Sequence, residues 1–109
     1  MLAACLLTFS SRAFAHAVLT SSTPKIHGTV HGPAIDIDLK FNSRVDGTRS
    51  SLSLMLPDGS VKPVSPLKQA GANELSAQAQ LAPGKYILRW QALAVDGHIT
   101  RGEIPFTVE

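Results

Sequence analysis

The sequence predicts an all-β protein, an immunoglobulin-like antiparallel sandwich of about seven strands. Two observations carry this prediction. Apolar and polar residues alternate in several segments, and turn residues such as Pro, Gly, Asp and Asn separate those segments at short intervals, without sustained helical periodicity. The chain of 109 residues, 44% of them apolar, is long enough for one compact domain with its own core.

The clearest predicted strand spans residues 35–41, where apolar residues alternate with Asp36, Asp38 and Lys40. This period of two gives an extended strand one apolar face and one polar face. Further strands are predicted at residues 18–21, 52–56, 61–64, 75–80, 86–91 and 104–108.

Two segments depart from simple alternation. Pro105 cannot donate to a sheet ladder, and its presence in the last predicted strand therefore indicates an edge or a bulge. Residues 63–73 contain Pro, Ser, Gly and Ala without sustained periodicity, so we predict a loop there with room for one helical turn.

The first residues are typical of a secretory signal. An apolar stretch at residues 2–9 is followed by Ala13-Phe14-Ala15, a small-x-small cleavage pattern. Residues 1–15 are thus predicted to be removed, leaving a mature domain of residues 16–109. No Lys or Arg precedes the apolar stretch, so whether Met1 is the true start stays open.

The same region also allows a weaker interpretation as a bacterial lipoprotein box, Leu2-Ala3-Ala4-Cys5. Such a box follows an apolar segment, whereas here the apolar segment surrounds the cysteine. Cleavage after Ala15 removes Cys5, the single cysteine of the chain, so the mature domain is expected to have neither a disulfide nor a thiolate ligand.

The charges of the chain argue against two classes of partner. The formal net charge of +2 arises from scattered Lys and Arg, without a basic run that could follow a nucleic acid. After the signal, no apolar segment is long enough for insertion of the mature chain into a membrane.

The candidate chemistry lies at two separated points. Cleavage after Ala15 makes His16 the amino-terminal residue, whose free amine and ring Nδ1 can chelate one metal ion together. Asp96 and His98 flank Gly97, and if this segment is extended both side chains point to the same side. These groups offer three nitrogens and one oxygen, a set that suits copper(II) in a tetragonal arrangement, with zinc and nickel as alternatives.

Each of these features also has an ordinary explanation. A histidine after a cleavage site can be incidental, and Asp-Gly-His is commonly a turn. His27 and His31 lie in a segment rich in Gly and Pro, where solvated loop histidines are the default, and an auxiliary role in metal binding stays open for them. Copper(I) favours sulfur, which the mature chain offers only at Met55.

Several motifs together resemble the CopC family of periplasmic copper-binding proteins. They cover nearly the whole mature domain. The matching residues are His16-Ala17-Val18-Leu19, Ser22-Thr23-Pro24, Gly28, Ile37-x-Leu39-x-Phe41, Leu81-Ala82-Pro83-Gly84-Lys85-Tyr86, Trp90, Asp96-Gly97-His98, Gly102 and Phe106-Thr107-Val108.

The resemblance implies a Greek-key sandwich or barrel in the bacterial periplasm, with one copper(II) ion held by His16, Asp96 and His98. It further implies a carrier role in copper resistance or uptake beside a CopD-like membrane permease. Two departures from the family are visible. No Met-rich segment lies between residues 41 and 67, and Ile99 stands where a proline often follows the histidine.

Three function classes follow from these features. The first is a non-enzymatic copper carrier. The second is an immunoglobulin-like accessory or adhesion module with incidental histidines, which predicts no tight copper binding. The third is a copper monooxygenase acting on polysaccharides, which also uses an amino-terminal histidine but needs a wide substrate face and copper(I).

Overall fold

The computed structural model of the protein describes residues 17–65 and 67–109, and this part of the chain contains nine strands and no helix. The strands are β1 (Leu19–Thr23), β2 (Gly28–Val30), β3 (Ala34–Phe41), β4 (Ser51–Met55), β5 (Val61–Pro63), β6 (Lys68–Gly71), β7 (Glu74–Gln80), β8 (Gly84–Leu93) and β9 (Ile99–Val108).

These strands form a four-stranded sheet, in the order β1-β3-β7-β6, and a five-stranded sheet, in the order β2-β9-β8-β4-β5. All pairs are antiparallel except β2 with β9. The chain changes sheet five times, between β1 and β2, β2 and β3, β3 and β4, β5 and β6, and β7 and β8, as in Greek-key sandwiches. The predicted immunoglobulin-like all-β fold is confirmed.

The core lies between the two sheets and follows the alternation seen in the sequence. In β3, Ile37 and Leu39 are fully buried, whereas Asp36 faces solvent beside Gln78 of β7. From the five-stranded sheet, Leu54 and Leu88 contribute side chains with no exposed area. Period-two burial thus fixes which face of each long strand enters the core.

Two aromatic side chains of the long β8 strand, Trp90 and Tyr86, tie it to other parts of the sandwich. The ring of Trp90 meets Phe41 of the opposite sheet edge to face, with centroids 5.3 Å apart. At the other end, the Tyr86 hydroxyl donates to the carbonyl of Ala82 at 2.7 Å. A buried tyrosine hydroxyl needs such a partner, and the bond ties the strand to the loop before it.

The loop predicted at residues 63–73 is wrong in part, because β6 lies within it and pairs with β7. This strand is a sheet edge, and its side chains are mostly exposed. An edge strand that buries neither face has no reason to alternate apolar and polar residues, so the sequence carries no signal for it.

The edge strand or bulge predicted from Pro105 is wrong for β9 as a whole, since β9 lies between β2 and β8 and pairs with β8 without a register shift, Pro105 lying opposite Ile87. The pairing of β2 begins only at Gly28, opposite Phe106. The Pro105 carbonyl accepts from the backbone N–H of His27 at 2.6 Å. Because β2 has not yet begun at this point, no ladder donor is required of the proline.

Candidate metal centre

Asp96 and His98 lie in the tight turn that joins β8 to β9. The backbone N–H of Ala94 donates to the carbonyl of His98 at 2.8 Å, and that of Gly97 donates to Ala94 at 2.9 Å. Gly97 adopts a positive φ of 93°, which glycine accepts without steric cost. The extended conformation considered from the sequence is therefore wrong, since Asp-Gly favours a turn.

The turn nevertheless brings the two predicted side chains together. One carboxylate oxygen of Asp96, Oδ1, accepts the backbone N–H of His98 at 3.1 Å, and the other, Oδ2, lies 2.9 Å from the ring Nδ1. An ionised carboxylate can only accept, so in this contact Nδ1 carries the hydrogen and Nε2 is the nitrogen that can bind a metal. Asp96 thus fixes both the backbone and the ring of His98.

The first described residues of the chain lie at the same end of the sandwich as this turn. Ala17 is only 1% exposed, and its carbonyl accepts the hydroxyl hydrogen of Thr100 at 2.9 Å. Thr100 lies two residues after His98 and is the second residue of β9. The segment that follows His16 is therefore packed against the strand that leaves the candidate site.

His16 itself lies outside the described residues, as do residues 1–15 with the predicted cleavage site and Cys5. Within the part of the chain that is described, no group of three His, Cys, Asp or Glu side chains is placed to hold a metal ion. The structure therefore brings the side chains of Asp96 and His98 together, and the assignment of His16, Asp96 and His98 as metal ligands stays a prediction.

The segment that joins β3 to β4 bonds to the residues where β8 ends and the turn begins. Val45 forms an isolated antiparallel bridge with Ala94, and the backbone N–H of Asp46 donates to the Leu93 carbonyl at 2.8 Å. Ser50 is buried, donates to the Asp46 carbonyl at 2.6 Å and accepts from the N–H of Leu93 at 3.0 Å. One hydroxyl therefore joins the supporting segment to the end of β8.

The remaining described histidines, His27 and His31, lie toward the other end of β9. His27 contacts Pro105, and the residue after His31 bonds the carbonyl of Glu109. Position 105 is seven residues further along the chain than position 98, about 23 Å at the rise of a β-strand. One metal ion cannot contact both ends, so these histidines do not join the candidate site.

Comparison with known proteins shows the family. Residues 19–109 match the CopC domain. The chain belongs to the CopC family. This result confirms the resemblance drawn from the sequence motifs.

Similar proteins of known structure include CopC from Methylosinus trichosporium OB3b, with 33% identity and a TM-score of 0.76 over 86% of this chain and 94% of that one. PcoC, a methionine-rich copper resistance protein from Escherichia coli, has 27% identity and a TM-score of 0.74 over 87% of this chain and 100% of its own. Protein YobA of Escherichia coli K12 is 29% identical over 100 residues, which cover 88% of this chain and 81% of YobA.

No helix in the described residues of this CopC-family chain is long and apolar enough to cross a bilayer.

Proposed function

We propose that this CopC-family protein is a periplasmic carrier of copper(II) and that it has no enzymatic activity. One ion is bound by the amino group and imidazole of His16, after removal of residues 1–15, together with Asp96 and His98. The family supports copper as the cargo, and PcoC, a similar structure, is described as a copper resistance protein. The ion is held without covalent chemistry and passed on by ligand exchange, with a CopD-like membrane permease as the proposed recipient or donor.

The observation that carries this proposal is the hydrogen bond between Thr100 and the Ala17 carbonyl. A single peptide bond, about 3.8 Å between Cα atoms, separates position 16 from Ala17. Thr100 is similarly close in sequence to His98. The contact therefore supports a meeting of the new chain end with the turn, which sequence spacing alone leaves open.

The donors of the turn fit copper(II). A metal-binding imidazole commonly donates its second ring N–H to a carboxylate, which fixes the orientation of the ring. The contact of Asp96 Oδ2 with His98 Nδ1 orients the ring in this way before the metal arrives, with Nε2 as the donor nitrogen. Because Nε2 lies across the ring from Oδ2, Asp96 must release Nδ1 in order to bind the same ion. A set of amine, imidazoles and carboxylate favours copper(II) over copper(I), and the only methionine after residue 15, Met55, lies on β4 away from the turn.

The decisive experiment compares two chain ends. The full chain is secreted by a bacterium, the processed protein is recovered, and its first residue is verified by mass spectrometry. A second form carries one extra alanine before His16, which converts the amine into an amide. Copper(II) titration against a competing chelator, with electron paramagnetic resonance, measures the affinity and the ligand nitrogens of both.

We expect the processed form to bind one copper(II) ion tightly with a nitrogen-rich tetragonal spectrum. The extended form should bind more than about 100-fold more weakly, because it loses one ligand and the chelate ring. Affinity of the processed form should also fall on acidification, since protons compete for the amine and imidazoles. Equal affinities of the two forms would exclude the amino group as a ligand and overturn the proposed site.

A further inference from the structure

We infer that Thr100 and Asn42 are positioning residues for the copper site, holding the second and third residues of the processed chain so that its amino terminus meets Asp96 and His98. This inference rests on the proposed function and adds to it the means by which a free chain end becomes an ordered ligand.

Chain ends normally fray unless something ties them down. Here Ala17 is nearly fully buried, and its carbonyl is bonded by the hydroxyl of Thr100 at 2.9 Å. Thr100 is half-buried and lies on the side of β9 that faces the interior, as do the core residues Ile104 and Phe106 further along the strand. The hydroxyl therefore anchors the chain end from inside the sandwich.

Asn42 anchors the next residue, Val18, through both of the backbone polar groups of Val18. Its side-chain Oδ1 accepts the backbone N–H of Val18 at 2.8 Å, and its own backbone N–H donates to the Val18 carbonyl at 2.9 Å. Asn42 directly follows β3, whose last residue Phe41 pairs with Leu19. The two bonds thus extend the β1–β3 ladder by one step toward the amino terminus.

Hydrophobic burial contributes little to holding Val18 in place, because the residue is 51% exposed. Its position depends on the polar contacts with Asn42. Together the two anchors order the chain end before copper arrives. Copper binding then does not have to order this segment, so the loss of chain entropy does not weaken the affinity. Removal of an anchor should weaken copper binding even when the fold and all metal ligands are retained.

The test uses the processed protein with Thr100→Val, which keeps the shape of the side chain but removes the hydroxyl. Thr100→Ser restores the hydroxyl. Asn42→Ala removes the side-chain bond of the second anchor and keeps its backbone bond to Val18, which gives an independent test if the valine variant folds poorly. Thr107→Val is the matched control, since Thr107 lies on the same strand near its opposite end. Affinity for copper(II) is measured by chelator competition, and folding by thermal melting.

Loss of one such hydrogen bond should weaken copper(II) binding about tenfold in Thr100→Val and in Asn42→Ala. Thr100→Ser and Thr107→Val should stay within about threefold of the unsubstituted protein. The same substitutions are then made in the form with an extra alanine before His16. There Thr100→Val should change the affinity by less than about twofold, because the terminal chelate that it positions is already lost.

Two results would overturn the inference while leaving the proposed site intact. One is unchanged affinity of both anchor variants in a processed protein that binds copper tightly. The other is an equal loss in the processed and extended forms, which would show that Thr100 acts on the turn rather than on the chain end. Absence of tight binding in the unsubstituted processed protein would instead overturn the proposed function itself, and this inference with it.

Discussion

Asp58 and Asp96 occupy the same position in two turns of matching geometry. Each is followed by a glycine at positive φ, 89° and 93° respectively. Each uses Oδ1 to accept the backbone N–H two residues later, from Ser60 at 2.9 Å and from His98 at 3.1 Å. The Ser60 hydroxyl and N–H hold the pKa of Asp58 below its usual range, whereas Asp96 turns its second oxygen toward an imidazole.

This pair of turns provides a controlled test of the candidate site. Asp96→Asn keeps the side-chain oxygen that closes the turn but removes the negative charge that faces the ring of His98. We expect the affinity for copper(II) to fall at least 10- to 100-fold, measured by chelator competition. The matched variant Asp58→Asn alters the other turn in the same way and should leave copper binding unchanged. Equal effects of the two substitutions would show that Asp96 serves the turn alone.

A second prediction concerns Ser50, the buried hydroxyl between the Asp46 carbonyl and the Leu93 N–H. Ser50→Ala removes this partner from both part-buried backbone groups, and should lower the free energy of unfolding by about 1–3 kcal/mol. Chemical denaturation measures the loss. Ser51→Ala, next to it but exposed at the start of β4, should change stability by less than about 0.5 kcal/mol. A similar loss in both variants would contradict the role assigned to Ser50.

The sequence predicted those parts of the fold in which burial imposes a pattern. The strand at residues 35–41 was predictable because one face enters the core and the other meets solvent, and β3 covers it. The edge strands β2 and β6 were missed because they are three and four residues long and none of their residues is fully buried. A strand that buries little leaves little trace in the order of its residues.

The candidate site divides in the same manner. The proximity of Asp96 and His98 was predictable because both belong to one local motif, although the turn conformation was not. Thr100 and Ser50 could not be identified, since their partners lie 83 and 43 residues away in the sequence. Such roles depend on a register between strands that an isolated threonine or serine does not indicate.

A third prediction uses Glu74, whose side chain lies on the outer face of the four-stranded sheet. A hydrogen bond with Asp38 raises the pKa of Glu74, with added contributions from partial desolvation and the Asp38 charge, while Lys40 opposes the shift. The folded state therefore holds this proton more tightly than the unfolded state. The resulting stabilisation is present below the unfolded pKa, near about pH 4, and is lost as the pH rises through the raised folded value.

Glu74→Gln keeps a hydrogen-bond donor toward Asp38 at every pH. Its melting temperature should therefore match that of the unsubstituted protein near about pH 4 and exceed it slightly near about pH 7, where the two carboxylates repel each other. Glu103→Gln is the comparison, because Glu103 pairs with Arg89 at 3.0 Å and its replacement should give no gain at neutral pH. A constant difference between Glu74→Gln and the unsubstituted protein across this range would disprove the proton-sharing contact.

The last prediction concerns Gly102, which lies opposite Trp90 on neighbouring strands and is covered by its indole ring. A Cβ added at this glycine would lie 2.5 Å from Cζ2 of Trp90, too close for any packed contact. The ring cannot yield easily, because its other neighbour Phe41 meets it at 5.3 Å in the core. Gly102→Ala should therefore displace the indole and reduce stability by about 1–3 kcal/mol.

The single tryptophan of the chain makes this displacement directly visible. Gly102→Ala should shift the fluorescence emission of the folded protein and lower the denaturant midpoint, because the indole moves within the core. Gly71→Ala is the matched control in a strand, since an added Cβ there meets its nearest atom, Oε1 of Glu74, at 3.4 Å. Unchanged emission and stability in Gly102→Ala would mean that the ring does not rest on Gly102. A shift confined to this variant would establish that β9 requires a glycine two residues beyond Thr100, because only a residue without a side chain leaves room for Trp90.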